Sequence, residues 1–124
     1  MTSVLTSLNA GLRRCLKRSD EVYLLGEDLL DPYGGAFKVT RGLSSDFPDR
    51  VITTPVSEAG IVGVGVGMAM QGFLPVVEIM FGDFLTLATD QILNHAAKFR
   101  WISGGEVRVP IVIRTPMGGR RGYG

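Results

Sequence analysis

The chain is poor in the residues that build cross-linked or metal-bound sites. Only one cysteine and one histidine occur in 124 residues. A lone Cys15 excludes an internal disulfide and any metal site built on paired cysteines, and it is compatible with a reducing compartment. Charge of one sign is not in excess either. Thirteen Lys and Arg against twelve Asp and Glu leave a formal net charge of +1, which gives no electrostatic case for nucleic acid or a membrane surface. Between Ala59 and Val77 there is no charge at all, a run long enough to raise the question of a membrane span. Gly72 and Pro75 interrupt it and Gln71 ends its helical pattern, so a span is rejected.

Acid is also missing from residues 1–18, where Arg13, Arg14, Lys17 and Arg18 superficially suit a mitochondrial transit peptide. Yet Val4, Leu5, Leu8, Leu12, Cys15 and Leu16 fall within about 120° of helical arc, which predicts a stripe facing a core. The cations fall in the last turns, where the helix dipole favours them. The segment therefore reads as a domain helix, with a bacterial-type cytoplasmic setting preferred to the mitochondrial matrix.

What the chain has in abundance is glycine. Its seventeen glycines are dispersed through apolar segments, a pattern of tight packing and not of disorder. The length suffices for one domain with its own core. After the first helix, Val22–Leu25 reads as a buried strand ending at Gly26-Glu27-Asp28, and residues 31–35 as loop. Arg41 to Phe47 reads as a short helix stopped at Pro48. Val51–Thr54, Leu74–Ile79 and Val109–Ile113 read as further strands. Helices between apolar strands imply right-handed crossovers, hence an α/β three-layer sandwich with a mainly parallel central sheet.

The segment from Pro55 to Met68 organises the rest. Ser57 is a good helix cap, and Glu58 then occupies the first turn, where the dipole favours negative charge. The plain reading is that Glu58 merely starts a helix. Gly60, Gly63 and Gly67, however, share one stripe, with Ile61, Val64 and Met68 on another. Each glycine costs roughly 1 kcal/mol against alanine in a helix, so the stripe predicts close approach by a neighbouring helix. A helix apolar on nearly all sides is expected to be buried on nearly all sides. Glu58 would then border a dry contact in which its protonated form is favoured. In a parallel sheet, ligands gather beyond the carboxyl ends of the strands. Glu27, Val56 to Glu58, and Met80 to Phe84 all fall on that rim.

A helix is predicted over Phe84–Ile102, with Phe84, Ala88, Gln91, Ile92, His95, Phe99 and Ile102 inward and Asp90, Asn94 and Lys98 outward. His95 thus reads as a core or interface histidine and is left out of the catalytic set. The tail Gly118–Gly124 has the flavour of an arginine–glycine RNA-binding patch, but one copy with two arginines is better read as a loop. Gly63-Val64-Gly65-Val66-Gly67 prompts a dinucleotide-binding reading. The fingerprint requires other spacing in a strand-to-helix turn, and these glycines lie inside a helix.

Glu58, four residues, Gly63, an aliphatic residue, two more and Gly67 together resemble the pyrimidine-side motif of thiamin-diphosphate enzymes. The surrounding words are Gly26-Glu27-Asp28, Tyr33-Gly34-Gly35, Thr54-Pro55-Val56-Ser57-Glu58-Ala59-Gly60, Asp90-Gln91-Ile92 and Ser103-Gly104-Gly105. In that order they resemble the β subunit of the decarboxylating component of 2-oxoacid dehydrogenase complexes of the pyruvate, branched-chain and acetoin types.

The resemblance implies a thiamin-diphosphate-binding fold, with residues 1–124 a transketolase-like pyrimidine-binding domain that stops before a carboxyl-terminal domain. It implies oxidative decarboxylation of a 2-oxoacid and acyl transfer to lipoamide. A carboxyl group bonded to the far ring nitrogen favours the cofactor's imino tautomer, and Glu58 matches that catalytic position. Val56, Met80 and Phe84 match positions around the pyrimidine, each otherwise readable as ordinary core. Position 80 is often glutamine in relatives, and methionine keeps the volume while removing a hydrogen bond. Glu27 matches an acid in the water-filled interior between paired sites, and otherwise reads as a solvated strand-end acid. The metal-binding Gly-Asp-Gly motif and its asparagine are missing: Gly82-Asp83 is followed by Phe84, and Asn94 is too near. No residue is therefore assigned to a metal, and magnesium is expected on a partner α subunit. A second β subunit and the lipoyl acyltransferase core are the other implied partners. The alternative is a noncatalytic fragment or assembly module of the same fold.

Overall fold

A computed structural model describes residues 3–118. The glycine- and arginine-rich tail from residue 119 onward, and any RNA-binding reading of it, lie outside the described residues. Four parallel strands form the sheet: β1 Val22–Gly26, β2 Val51–Thr53, β3 Leu74–Glu78 and β4 Val112–Arg114, in the order β2-β1-β3-β4. Strand alternation feeds two separate cores. Val22 and Leu24 join Leu16, Leu29, Leu43 and Val51 on one face, while Leu25 and Val77 join Ile61, Val62 and Val66 on the other. Helices α1 (Val4–Arg18) and α2 (Leu43–Asp46) supply the first face, and α3 (Glu58–Met70) the second. The three-layer parallel α/β architecture is as the apolar runs predict.

The fourth strand begins later than its apolar run. Pro110 has no N–H to donate, and ladder pairing starts only at Val76 with Val112. A larger difference lies in residues 84–102. In place of one amphipathic helix the chain forms a 3₁₀ segment at Gly82–Ala88, a π-helical turn at Gln91–Ala96 and α4 at Phe99–Ile102. Thr86 donates its hydroxyl to the carbonyl of Asp83 at 2.9 Å, and Thr89 donates to that of Thr86 at 2.7 Å. Such side-chain bonds compete with regular helix pairing. The predicted inward face survives at its centre, where Ala88 is buried and Gln91, Ile92, His95 and Phe99 are half-buried, but Phe84 and Ile102 at its ends are exposed.

Helix α1 also departs from expectation. Of its apolar stripe only Leu16 is buried and Leu12 half-buried, while Val4, Leu5, Leu8 and Cys15 are exposed. Helix α3 is likewise covered on one side only. Ile61, Val62, Gly65, Val66 and Ala69 are buried, whereas Gly60, Val64, Gly67 and Met70 are exposed. The glycine that lies against the sheet is not in the predicted stripe. A Cβ on Gly65 would lie 2.7 Å from Val77 Cγ2 and 3.0 Å from Ile111 Cδ1, so Gly65 lets α3 settle onto the sheet. Gly63 meets only the side chain of Gln91, and Gly67 has nothing within 4 Å among the described residues.

Candidate functional site

The sheet order puts β1 between β2 and β3, so successive connections leave β1 in opposite directions. The gap beyond the carboxyl ends of β1 and β3 is thus a topological switch point, where open α/β sheets hold ligands. Gly26 and Glu78 face each other across it, and a Cβ on Gly26 would lie 2.8 Å from the Glu78 carbonyl oxygen.

Glu27 follows β1 directly and is 8 % exposed, with Oε1 buried and lacking any hydrogen-bond partner. Burial first, then the charges of Glu58 and Asp28, push its carboxyl above the ordinary value. Glu58 opens α3 and is 7 % exposed, shielded as the sequence predicts. The two acids therefore sense one another at adjacent strand ends. Between them Thr54 donates its N–H to the carbonyl of Gly26 at 3.0 Å, and its own hydroxyl oxygen is buried without a partner. Ser57 holds the cap position, but its hydroxyl makes no capping bond. It sits where a Cβ on Gly60 would approach to 2.8 Å, so Gly60 makes room for it.

The other predicted residues lie on the same rim but are less enclosed. Met80 is half-buried. Phe84 is 39 % exposed and packs edge-on against Phe81 with ring centroids 5.8 Å apart. Val56 is 79 % exposed, so any wall it forms requires a neighbouring surface. His95 is half-buried against Phe99, with Nδ1 3.8 Å from Asp90, beyond hydrogen-bond reach.

Sequence reasoning missed the groups that brace this rim. Glu78 is 3 % exposed, accepts the Ala36 N–H at 2.7 Å on Oε1 and pairs through Oε2 with Arg114 of β4. It thereby ties β3, β4 and the Gly34-Gly35 loop together. Gly35 is required there: φ is 71° and a Cβ would meet Thr40 Oγ1 at 2.6 Å. A single acid inside the apolar run Leu74–Ile79 was the available signal, because a charge on a buried strand needs a partner. Asp31 fixes the outer part of the same loop. It accepts the N–H groups of Gly42 and Ser45 and the hydroxyls of Ser44 and Ser45, which lower its pKa to about 2.

At the carboxyl edge of the sheet two buried acids, Glu27 and Glu58, lie within electrostatic reach of one another, and Glu27 keeps one carboxylate oxygen unpartnered among the described residues. The rim does not suit a hard cation. Among the described residues no three His, Cys, Asp or Glu side chains are grouped to hold one.

The chain is 50 % identical over 117 residues to "Pyruvate dehydrogenase E1 component subunit beta" of Leifsonia xyli, covering 94 % of this chain and 34 % of that protein. The mitochondrial counterpart in Homo sapiens is 45 % identical over 97 % of this chain and 33 % of its own length. The beta-1 mitochondrial subunit of Oryza sativa is 44 % identical over 98 % of this chain and 33 % of its own. The chain thus spans about a third of the length of the curated relatives it matches. A family model described as "Transketolase, pyrimidine binding domain" matches residues 2–123. The chain accordingly belongs to the transketolase pyrimidine-binding domain family.

Proposed function

We propose that this chain supplies the pyrimidine-binding half of a shared thiamin diphosphate site in the decarboxylating component of a 2-oxoacid dehydrogenase. The observation that carries the reading is the shielded Glu58, coupled to Glu27 at the carboxyl edge of the sheet. Thiamin diphosphate, when bound, would supply the carbanion chemistry that decarboxylation of a 2-oxoacid requires. Glu58 would hold the pyrimidine through its carboxyl. The apolar side chains of Met80, Phe84 and Val56 would line the ring, and would shield it from water once a partner surface covers Val56. Glu27 keeps a second proton-binding group within electrostatic reach of Glu58.

In this reading the diphosphate and magnesium half is assigned to an α subunit. A second β subunit and a lipoyl acyltransferase core complete the assembly, with acyl transfer to lipoamide as the outcome. Pyruvate is the first substrate to try, since the relatives at 42–50 % identity carry its name. In this reading residues 1–124 are the amino-terminal domain of a longer β polypeptide, set in a bacterial-type cytoplasm. The bacterial relative supports that setting.

The test is a β polypeptide of full relative length reconstituted with its α partner. Glu58→Gln should lose decarboxylation by at least a hundredfold with assembly intact, since positioned acid–base groups contribute about 10²–10⁴. Near-normal turnover would remove the role. A second reading, a noncatalytic assembly module, is favoured by the exposure of Val56. Calorimetric titration of the 124-residue chain alone with thiamin diphosphate and magnesium separates the two questions. A half-site binds nothing measurable without the α partner, and tight binding alone would refute the half-site.

A further inference from the structure

Glu78 and Glu27 stand on opposite faces of the sheet. In the parallel register Gly26 is level with Glu78 and Glu78 with Arg114, on the face of Leu24 and Val76 that α1 covers. Leu25 and Val77 face α3. Glu27, two residues past Leu25, continues that side toward Glu58 at the head of α3. The Glu78 carboxylate therefore lies across the sheet from the acids of the rim.

It nevertheless reaches the backbone that carries Glu27. Gly26 leaves the space, since a Cβ there would lie 3.0 Å from Glu78 Cβ. Glu78 Oε1 accepts the Ala36 N–H at 2.7 Å, and a Cβ on Gly35 would lie 3.1 Å from the same oxygen. Gly35 in turn donates its N–H to the carbonyl of Asp28 at 2.9 Å. Asp28 holds φ at 52°, a left-handed conformation that a non-glycine residue keeps only when its surroundings impose it. Glu27 is the preceding residue, so the direction in which its carboxyl leaves β1 is set at Asp28. Arg114 pairs with the other oxygen, Oε2, and so fixes which one the loop receives.

The charges that reach Glu27 are those of Glu58 from α3 and Asp28 from its own loop. Strand β2 ends in the uncharged Thr53 and Thr54, and the Glu78 charge on β3 is matched by Arg114 of β4. Burial and the two like charges hold the Glu27 carboxyl above its ordinary value, a state that lasts only while the loop keeps it inside. We propose that Glu78 is a positioning residue for the reaction: through Ala36, Gly35 and Asp28 it fixes where Glu27 stands beside Glu58. The reaction is that of the thiamin reading, on which the proposal rests.

Two isoelectric variants of a full-length β polypeptide, assembled with its α partner, separate the tie from the charge. E78Q/R114L keeps an acceptor for Ala36 and E78L/R114L has none, while neither strands a charge. Hydrogen exchange across residues 28–42, read without cofactor, should be about ten-fold faster in E78L/R114L and near wild type in E78Q/R114L. In kcat/KM against pH, one limb should be abolished by Glu27→Gln. That limb should move about one pH unit toward acid in E78L/R114L, as water reaches Glu27, and stay in place in E78Q/R114L. A purely structural role would leave the limb where it is. If E78L/R114L fails to assemble, Ala36→Pro takes its place, removing the donor at the first residue of a helical turn, where proline is accepted. Equal loop exchange in the two variants, equal limbs, or a profile that Glu27→Gln leaves intact overturns the positioning role. Near-normal turnover in Glu58→Gln overturns the thiamin reading instead, a result distinct from equal limbs with Glu58→Gln inactive.

Discussion

Glu78→Ala removes a carboxylate that is 3 % exposed and that serves two partners brought from distant parts of the chain. The variant leaves the Arg114 guanidinium, whose side chain is 17 % exposed, without its counter-charge, and the Ala36 N–H without its acceptor. Removing one member of a buried pair costs about 3–5 kcal/mol, most of it the stranded charge. Against a domain stability of about 5–15 kcal/mol this is a large fraction, and for a chain of this size it lowers Tm by about 10–20 °C. Glu78→Gln keeps an acceptor for Ala36 and should cost less. The decisive variant is E78L/R114L, which removes both charges together. Urea unfolding should place it at least 1 kcal/mol above the sum of its single variants, because neither charge is then stranded. A cost below about 1 kcal/mol for Glu78→Ala, or simple additivity in the double variant, would refute the clamp.

Two glycines of α3 should respond with opposite signs. Gly65→Ala forces a Cβ to 2.7 Å from Val77, which is fully buried, and should destabilise by about 1–3 kcal/mol despite better helix propensity. Gly67→Ala meets nothing within 4 Å among the described residues and should stabilise by about 0.5–1 kcal/mol; thermal melts of both variants check the pair. Acid titration of stability should show two further opposed terms. Asp31 has its folded-state pKa lowered to about 2 from 3.8, so its contribution is present above pH 3.8 and is lost as pH falls toward 2. Asp31→Asn should flatten that part of the curve. The Glu27 carboxyl is raised in the folded state, so its ionisation weakens the fold at neutral pH and protonation restores stability as pH falls through the raised value. Glu27→Gln should therefore stabilise at pH 8 and lose that advantage by pH 4, read by denaturant midpoints at each pH.

Much of the frame was legible in the linear pattern. Short apolar runs marked β1, β2 and β3, and the step from a β-rich segment through Pro55 into an uncharged helix placed Glu58 at the start of α3. Those features depend on neighbours within a turn or two, which is the range that periodicity and capping read. The rim of Glu27, Glu58 and Met80 followed from topology, because parallel strands all end on one side.

Which face of each helix is covered could not be read this way. Periodicity gives a stripe's direction relative to its own axis and says nothing of what lies opposite. The α1 stripe predicts a core contact along its whole length where only Leu16 and Leu12 reach the core, and the α3 glycine stripe predicts a helix contact where the glycine pressed against the sheet is Gly65, outside that stripe. Residues 84–102 kept their inward centre but lost their regularity to threonine hydroxyls that bond the backbone. The sequence by itself determined β1, β2 and β3 and the acid at the head of α3, since each is encoded locally. Only the tertiary structure decided that Glu27 and Glu58 share one buried field and that Glu78 finds Arg114 thirty-six residues away. Contacts at that separation are fixed by packing and charge burial, and these exist only once the layers have closed.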